Sequence, residues 1–116
     1  MTLEKFIGRT TGRTTRIINI HKINGKRPEF DVYIGRSVGN TEFTKSSKWH
    51  KNRGMSLEKY EPNIRRKIKK NPKYYDLNEI RGQRIGCWCI TTDKLEPLVC
   101  HGQILMKLLK EKRLIK

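Results

Sequence analysis

Up to about residue 55 the chain alternates short β-branched runs with polar, turn-rich stretches; beyond it, apolar residues fall mainly at helical spacing. Ile17-Ile18-Asn19-Ile20 predicts a first strand. Asn24-Gly25 marks a turn, because both residues tolerate positive φ. Pro28 keeps its neighbours out of a central strand, so the second strand is expected over residues 30–34, Phe-Asp-Val-Tyr-Ile, ended by Gly35-Arg36-Ser37. A loop rich in Gly, Ser and Lys covers residues 38–54.

Ser56 then stands as an N-cap, with Lys59 where a capping box would want an acid, so the cap is single rather than reciprocal. Leu57, Tyr60, Ile64 and Ile68 form the buried stripe of the helix that follows. Pro62 is expected to delay its regular start or bend it, and Asn71-Pro72 to end it. Residues 74–81 predict a short helical or irregular piece with Leu77 and Ile80 facing inward. Gly82 gives a turn, residues 84–90 a third strand, and residues 102–114 a last helix with Ile104, Leu105, Leu108 and Leu109 as its apolar stripe. The order β-β-loop-α-β-α predicts a small single α/β domain, a short sheet of about three or more strands covered by helices.

That domain is expected over residues 17–116. Residues 1–16 carry a short tandem, Gly8-Arg9-Thr10-Thr11 and Gly12-Arg13-Thr14-Thr15, with no apolar residue from Gly8 to Arg16. They read as a flexible basic arm whose Arg9, Arg13 and Arg16 would meet phosphates, or as an exposed loop with no role.

Charge sharpens the picture. The chain has 116 residues, 34% hydrophobic, with 27 Lys and Arg against 11 acids, a formal net charge of +16. An excess of that size predicts binding to a polyanion, nucleic acid first, with DNA and RNA equally admissible. Residues 45–73 hold 11 basic residues and two acids. The segment Lys45-Ser46-Ser47-Lys48-Trp49-His50-Lys51-Asn52-Arg53 interleaves cations and hydroxyls with one ring, which suits backbone contacts plus base stacking. The expected contact residues there are Lys45, Lys48, Trp49, Lys51 and Arg53, with Arg65, Arg66, Lys67, Lys69 and Lys70 following on the helix. No run approaches the ~20 apolar residues of a membrane span, and no secretion signal is visible, so no membrane role and an intracellular setting are expected, including a virion if the chain is viral.

The candidate chemistry lies in Gly86-Cys87-Trp88-Cys89 and Cys100-His101-Gly102, which contain all three cysteines. On a strand Cys87 and Cys89 share a face and Trp88 takes the other. With Cys100 and His101 they make a donor set for one structural zinc, which would cross-link the third strand to the last helix of a domain with a thin core. Two other readings remain. In one, the thiols are small core residues, Cys100 caps a helix and His101 donates to a backbone carbonyl. In the other, Cys100 is reactive, its pKa lowered at a helix N-terminus. No paired-carboxylate site, nucleophile elbow, Walker lysine or deaminase signature is present.

Ile17-Ile18-Asn19-Ile20, Asp31-Val32-Tyr33-Ile34-Gly35-Arg36, Lys45-Ser46-Ser47-Lys48-Trp49, Arg81-Gly82-Gln83, Gly86-Cys87-Trp88-Cys89 and Cys100-His101-Gly102 together resemble an uncharacterised family of short phage, bacterial and large-DNA-virus proteins. The resemblance implies a compact α/β domain with its motifs at strand ends, where open α/β sheets bind ligands. Gly35, Arg36, Ser37, Cys87, Cys89, Cys100 and His101 would then face one pocket, joined by Ser46, Ser47 and Trp88 from the same motifs. The chain departs from the family pattern in His50-Lys51-Asn52-Arg53, where Gly-Asn-Pro-Phe is usual, and in a longer loop between Cys89 and Cys100. The family implies no particular activity.

The leading expectation is therefore a basic protein that binds nucleic-acid backbone with little sequence specificity, with a zinc-stabilised fold. The alternatives are an enzyme acting on nucleotides or nucleic acid with a Cys/His pocket, and a structural component of a virion or ribonucleoprotein, a larger assembly.

Overall fold

The computed structural model describes residues 15–39 and 42–114. In chain order it contains β1 (Arg16–Asn19), β2 (Val32–Tyr33), α1 (Leu57–Lys70), a 3₁₀ turn (Leu77–Glu79), β3 (Arg84–Cys87) and α2 (His101–Glu111). The three strands form one parallel sheet in the order β1-β3-β2. This is the small α/β domain expected, with the late strand inserted between the two early ones.

Register decides what each face carries. Ile17 and Val32 both lie opposite Ile85, so these three share a face, and the pleat adds Ile34 and Cys87 two residues on. Helix α2 lies on that face. A Cβ added at Gly102 would stand 2.9 Å from Ile34 Cδ1 and 3.1 Å from Ile17 Cδ1, so any larger residue there would have to displace these buried side-chain ends. Helix α1 packs beside α2 and contributes Tyr60 and Ile64 to the core. The opposite face carries Tyr33, Gly86 and Trp88. It is covered by side chains from loops: Phe30 lies on Gly86, and Phe43 stacks on Tyr33 at 4.2 Å between ring centroids.

The strands are shorter than the apolar runs suggested, for identifiable reasons. Asp31 turns its carboxylate to Arg84, taking its backbone N–H at 2.8 Å and its guanidinium at 3.1 Å, so pairing on β2 begins only at Val32. Beyond Cys87 the chain leaves β3 and returns along the outer edge of β1, where Ile17 and Thr92 exchange backbone bonds of 2.8 and 2.9 Å. The predicted helical piece at 74–81 reduces to the 3₁₀ turn, though Leu77 and Ile80 are buried as expected.

Ser56 caps α1, its hydroxyl accepting from Lys59 N at 3.3 Å. Pro62 neither delays nor shortens that helix, which starts at Leu57. The bond its missing N–H would have made falls on Glu58, in the exposed first turn, where water can replace it. The Asn24-Gly25 turn holds, with φ of 52° and 79°. Arm residues 1–14 lie outside the described residues. Thr15 is buried, its hydroxyl accepting from Gly82 N at 2.6 Å, and Arg16 opens β1, so the described fold begins two residues before the expected boundary at 17. No helix among the described residues is long and apolar enough to cross a membrane.

Candidate functional site

Because all strands run parallel, their carboxyl ends lie at one edge of the sheet, and the start of α2 joins them there. The Sγ atoms of Cys87, Cys89 and Cys100 all lie within 4.8 Å of one another, from the end of β3, the residues just after it and the N-cap of α2. Cys87 and Cys100 are buried and Cys89 is exposed. Cys100 Sγ accepts from Gly102 N at 3.4 Å, while Gln103 Oε1 takes Cys100 N at 2.9 Å, so one thiol both caps the helix and faces its two partners.

The fourth expected donor is elsewhere. His101 is not a member of the thiol group: its Nε2 donates to Ile34 O at 2.7 Å, and its ring meets the Tyr60 ring edge-on at 5.1 Å. The side chain one residue beyond Cys100 leaves the helix in a different direction, toward the end of β2. Burial holds the imidazole below its ordinary pKa, against the bond to Ile34 O, which favours the charged form.

The thiols act on one another. Hydrogen bonds from Cys100 and then Cys89 hold the Cys87 thiol far below its usual range, against the effect of burial. Cys100 is pushed up by its bond to Cys87, then that to Cys89, and by burial. For Cys89 a bond with Cys100 acts downward, and is outweighed by the bond to Cys87, burial and the charge on Cys87. Cys87 Sγ also donates to Ile90 O at 3.5 Å, and a metal bound among the three sulfurs would displace the thiol protons.

The predicted nucleic-acid loop packs against this same end of the domain, which changes the role of its central residue. Trp49 is 1% exposed and sits in the core, edge-on to Tyr75 at 5.7 Å, so it is no stacking platform. Its carbonyl accepts from Tyr60 Oη at 2.7 Å. Lys48 is held by Tyr74 O at 2.6 Å and by Glu79 at 2.6 Å. Lys51 donates to Met55 O at 2.6 Å. Its charge reaches Cys89, an influence the spacing of the two residues in sequence does not hint at. Arg65 bridges the helices, 2.8 Å from Glu61 and 2.8 Å from Glu111. Four of the expected contact residues therefore have structural work.

The others stay outward. Arg16, Lys45, Arg53, Arg66, Lys69 and Lys70 are exposed and Lys67 is half-buried, and none makes a side-chain hydrogen bond or ion pair among the described residues. Arg9 and Arg13 lie outside the described residues. With about 3.6 residues per turn, Lys59, Arg66 and Lys70 align along the outer side of α1 over roughly 16 Å. Beside them a groove of about 380 Å³ runs between the helices, with Ile68, Pro72 and Leu108 inside and Arg65, Lys69 and Lys112 around it.

The Gly35-Arg36-Ser37 segment expected to face a pocket is closed by serine hydroxyls. Ser46 Oγ accepts from Ser37 N at 2.8 Å, Ser37 Oγ donates to Thr44 O at 2.9 Å, and Ser47 N donates to Gly35 O at 3.0 Å. The Tyr33 ring lies where a Gly35 side chain would be, and Arg36 is exposed. Trp88 belongs to the opposite face, donating from Nε1 to Tyr33 Oη at 2.8 Å with its ring near Phe43 and Arg27. Arg27 was not legible as a site residue. It reaches Ile20 O at 2.6 Å and lies over the Phe43 and Trp88 rings, bracing the loop side of the sheet.

These features define a small parallel α/β domain with three thiols gathered at the carboxyl edge of its sheet and a cationic outer helix. The chain belongs to the family described as Domain of unknown function (DUF4326), whose model matches residues 18–111. No curated protein and no solved structure matches it.

Proposed function

We propose that this protein binds the phosphate backbone of nucleic acid, with little sequence preference, through the outer side of α1 and the cations around it. The observation that carries the reading is the line Lys59, Arg66 and Lys70, flanked by Lys69 and Lys73, all exposed and without an acidic partner among the described residues. Cations not tied up by acids are the ones that can release condensed counterions when they meet phosphates. The buried Trp49 removes the stacking contribution, which leaves charge as the main attraction and accords with weak sequence preference.

A salt titration of DNA and RNA binding, by fluorescence anisotropy, tests this. Each phosphate contact contributes about 0.9 to the log–log slope on duplex and about 0.7 on single strands. Reversing Lys59, Arg66 and Lys70 to glutamate should therefore flatten the slope by about 2 units or more. Binding that ignores salt, or an unchanged slope in the triple variant, would sink the proposal.

A second reading rests on the thiol cluster: the three sulfurs hold one zinc ion, which ties β3 to α2. Their mutual approach, within 4.8 Å, suits a tetrahedral ion with Zn–S bonds of about 2.3 Å after a small contraction. Metal analysis of protein purified without a histidine tag should find close to one equivalent. Folded protein with none would remove it.

A further inference from the structure

We infer that the metal position formed by Cys87, Cys89 and Cys100 is an open centre, whose fourth coordination position faces solvent at the carboxyl edge of the sheet and takes an exogenous sulfur or nitrogen donor. The inference rests on the zinc reading above and adds to it what completes the coordination.

Among the described residues the group that can converge on one ion contains the three thiols and no histidine or carboxylate. A zinc ion asks for four ligands. His101, the neighbour in sequence, is committed elsewhere: it is 7% exposed, its Nε2 serves Ile34 O, and its ring lies against Tyr60. Turning it to the sulfurs would strip a buried carbonyl of this partner and leave a gap beside Tyr60, with nothing at hand to fill either.

The cluster is asymmetric. Cys87 is in the core at the end of β3, and Cys100 is in the core at the first turn of α2, each 1% exposed. Cys89 alone reaches the surface. Two sulfurs therefore hold an ion from the protein side and the third from the rim, which leaves the remaining vertex on the solvent side. The segment that enters α2 adds a rim of different character, since Leu98 is 47% and Val99 46% exposed immediately before Cys100.

Three negative sulfurs around a dipositive ion give a centre of net charge −1. Such a centre polarises a bound water less than one built from neutral imidazoles, so water activation is not its best use. It remains a good partner for the soft and borderline donors that zinc favours, a thiolate or an imidazole. Exchange at this position needs no rearrangement of the protein, because the three cysteines stay in place while the fourth ligand comes and goes. An incoming thiol loses its S–H proton to solvent as its sulfur binds, whereas an imidazole binds through its free nitrogen with no bond broken.

Cobalt(II) in place of zinc gives the test, using the full chain without a histidine tag. One equivalent should produce thiolate-to-cobalt charge-transfer absorption in the near ultraviolet and the visible bands of a tetrahedral ion. Imidazole and 2-mercaptoethanol, added separately, should each shift those visible bands saturably, leaving the charge-transfer absorption of the three cysteines in place. His101→Gln should give the parent spectrum, and if that variant does not fold, the parent titration decides alone. Tetrahedral bands that answer to neither compound, or that change in folded His101→Gln, would show a site closed by four protein ligands and overturn the inference while leaving the zinc reading intact. Failure to bind cobalt or zinc at all, in folded and reduced protein, would remove both.

Discussion

Truncating Trp49 to alanine should cost the domain stability, and should alter nucleic-acid binding only through loss of the fold. The side chain is 1% exposed, within a core cluster that includes Tyr60, Ile64 and Leu77. Emptying such a site costs about 3–5 kcal/mol, which includes the cavity left behind. Its edge-on contact with Tyr75, at 5.7 Å, falls within that loss and accounts for about 0.5–1.5 kcal/mol of it. Against the roughly 5–15 kcal/mol that holds a domain of this size together, the alanine variant keeps a narrow margin. Phenylalanine instead removes about 40 Å³, worth about 1 kcal/mol at ~24 cal/mol per Å³. Urea unfolding followed by far-ultraviolet circular dichroism measures the first effect, and anisotropy across a salt series measures binding by whatever remains folded. Trp49→Phe should bind with the parent affinity and salt slope. A stacking residue would behave in the opposite way, losing about 1–3 kcal/mol of binding per base with stability unchanged. Trp49→Ala with the parent unfolding midpoint and weakened binding would refute the reasoning.

Gly102→Ala should lower the melting temperature, because its Cβ would stand 2.9 Å from Ile34 Cδ1 and displace that buried side chain in a packed core. The cost expected is about 1–3 kcal/mol, less the small helix-propensity gain of alanine, and calorimetry reads it directly. Glu61 is held below the ordinary carboxylate pKa of 4.5 by its hydrogen bonds to Lys107 and then Arg65, so its contribution to stability is present above that value and is lost as pH falls through the lower folded one. Glu61→Gln should therefore flatten the acid limb of the stability–pH curve, by under about 1 kcal/mol because the network is well solvated; an unchanged limb would show that the bridge carries no net stability. Cys100→Ser should abolish stoichiometric zinc yet keep apo-protein stability within about 1 kcal/mol, since serine is a strong N-cap in its own right. Cys89→Ser should also lose zinc and leave apo stability untouched, being exposed; metal analysis beside urea midpoints checks both, and full zinc retention in either variant would remove that sulfur from the site.

Local rules made much of the architecture legible. The β-branched run at 17–20, the Asn24-Gly25 turn, the Ser56 cap and the apolar stripes of both helices depend on neighbours within a few residues, and each appears near its expected place. The nearness of Cys87 and Cys89 was expected from strand alternation, yet β3 ends at Cys87, and it is the turn beyond the strand that brings Cys89 to the other sulfurs. Net charge is likewise a property of composition, so the cationic surface needed no fold to predict. What only the tertiary structure decided is which way particular side chains turn once distant segments meet. Trp49 sits among lysines in sequence, yet the loop folds over the end of the sheet and the largest apolar surface in that stretch goes to the core, where burial stabilises it most. Lys48, Lys51 and Arg65 are cations like their neighbours until Glu79, Met55 O and Glu111 come within reach. Cys100 and His101 are adjacent in sequence, and the first turn of α2 separates them, one to the thiols and the other to Ile34 O, because successive helical residues point about 100° apart.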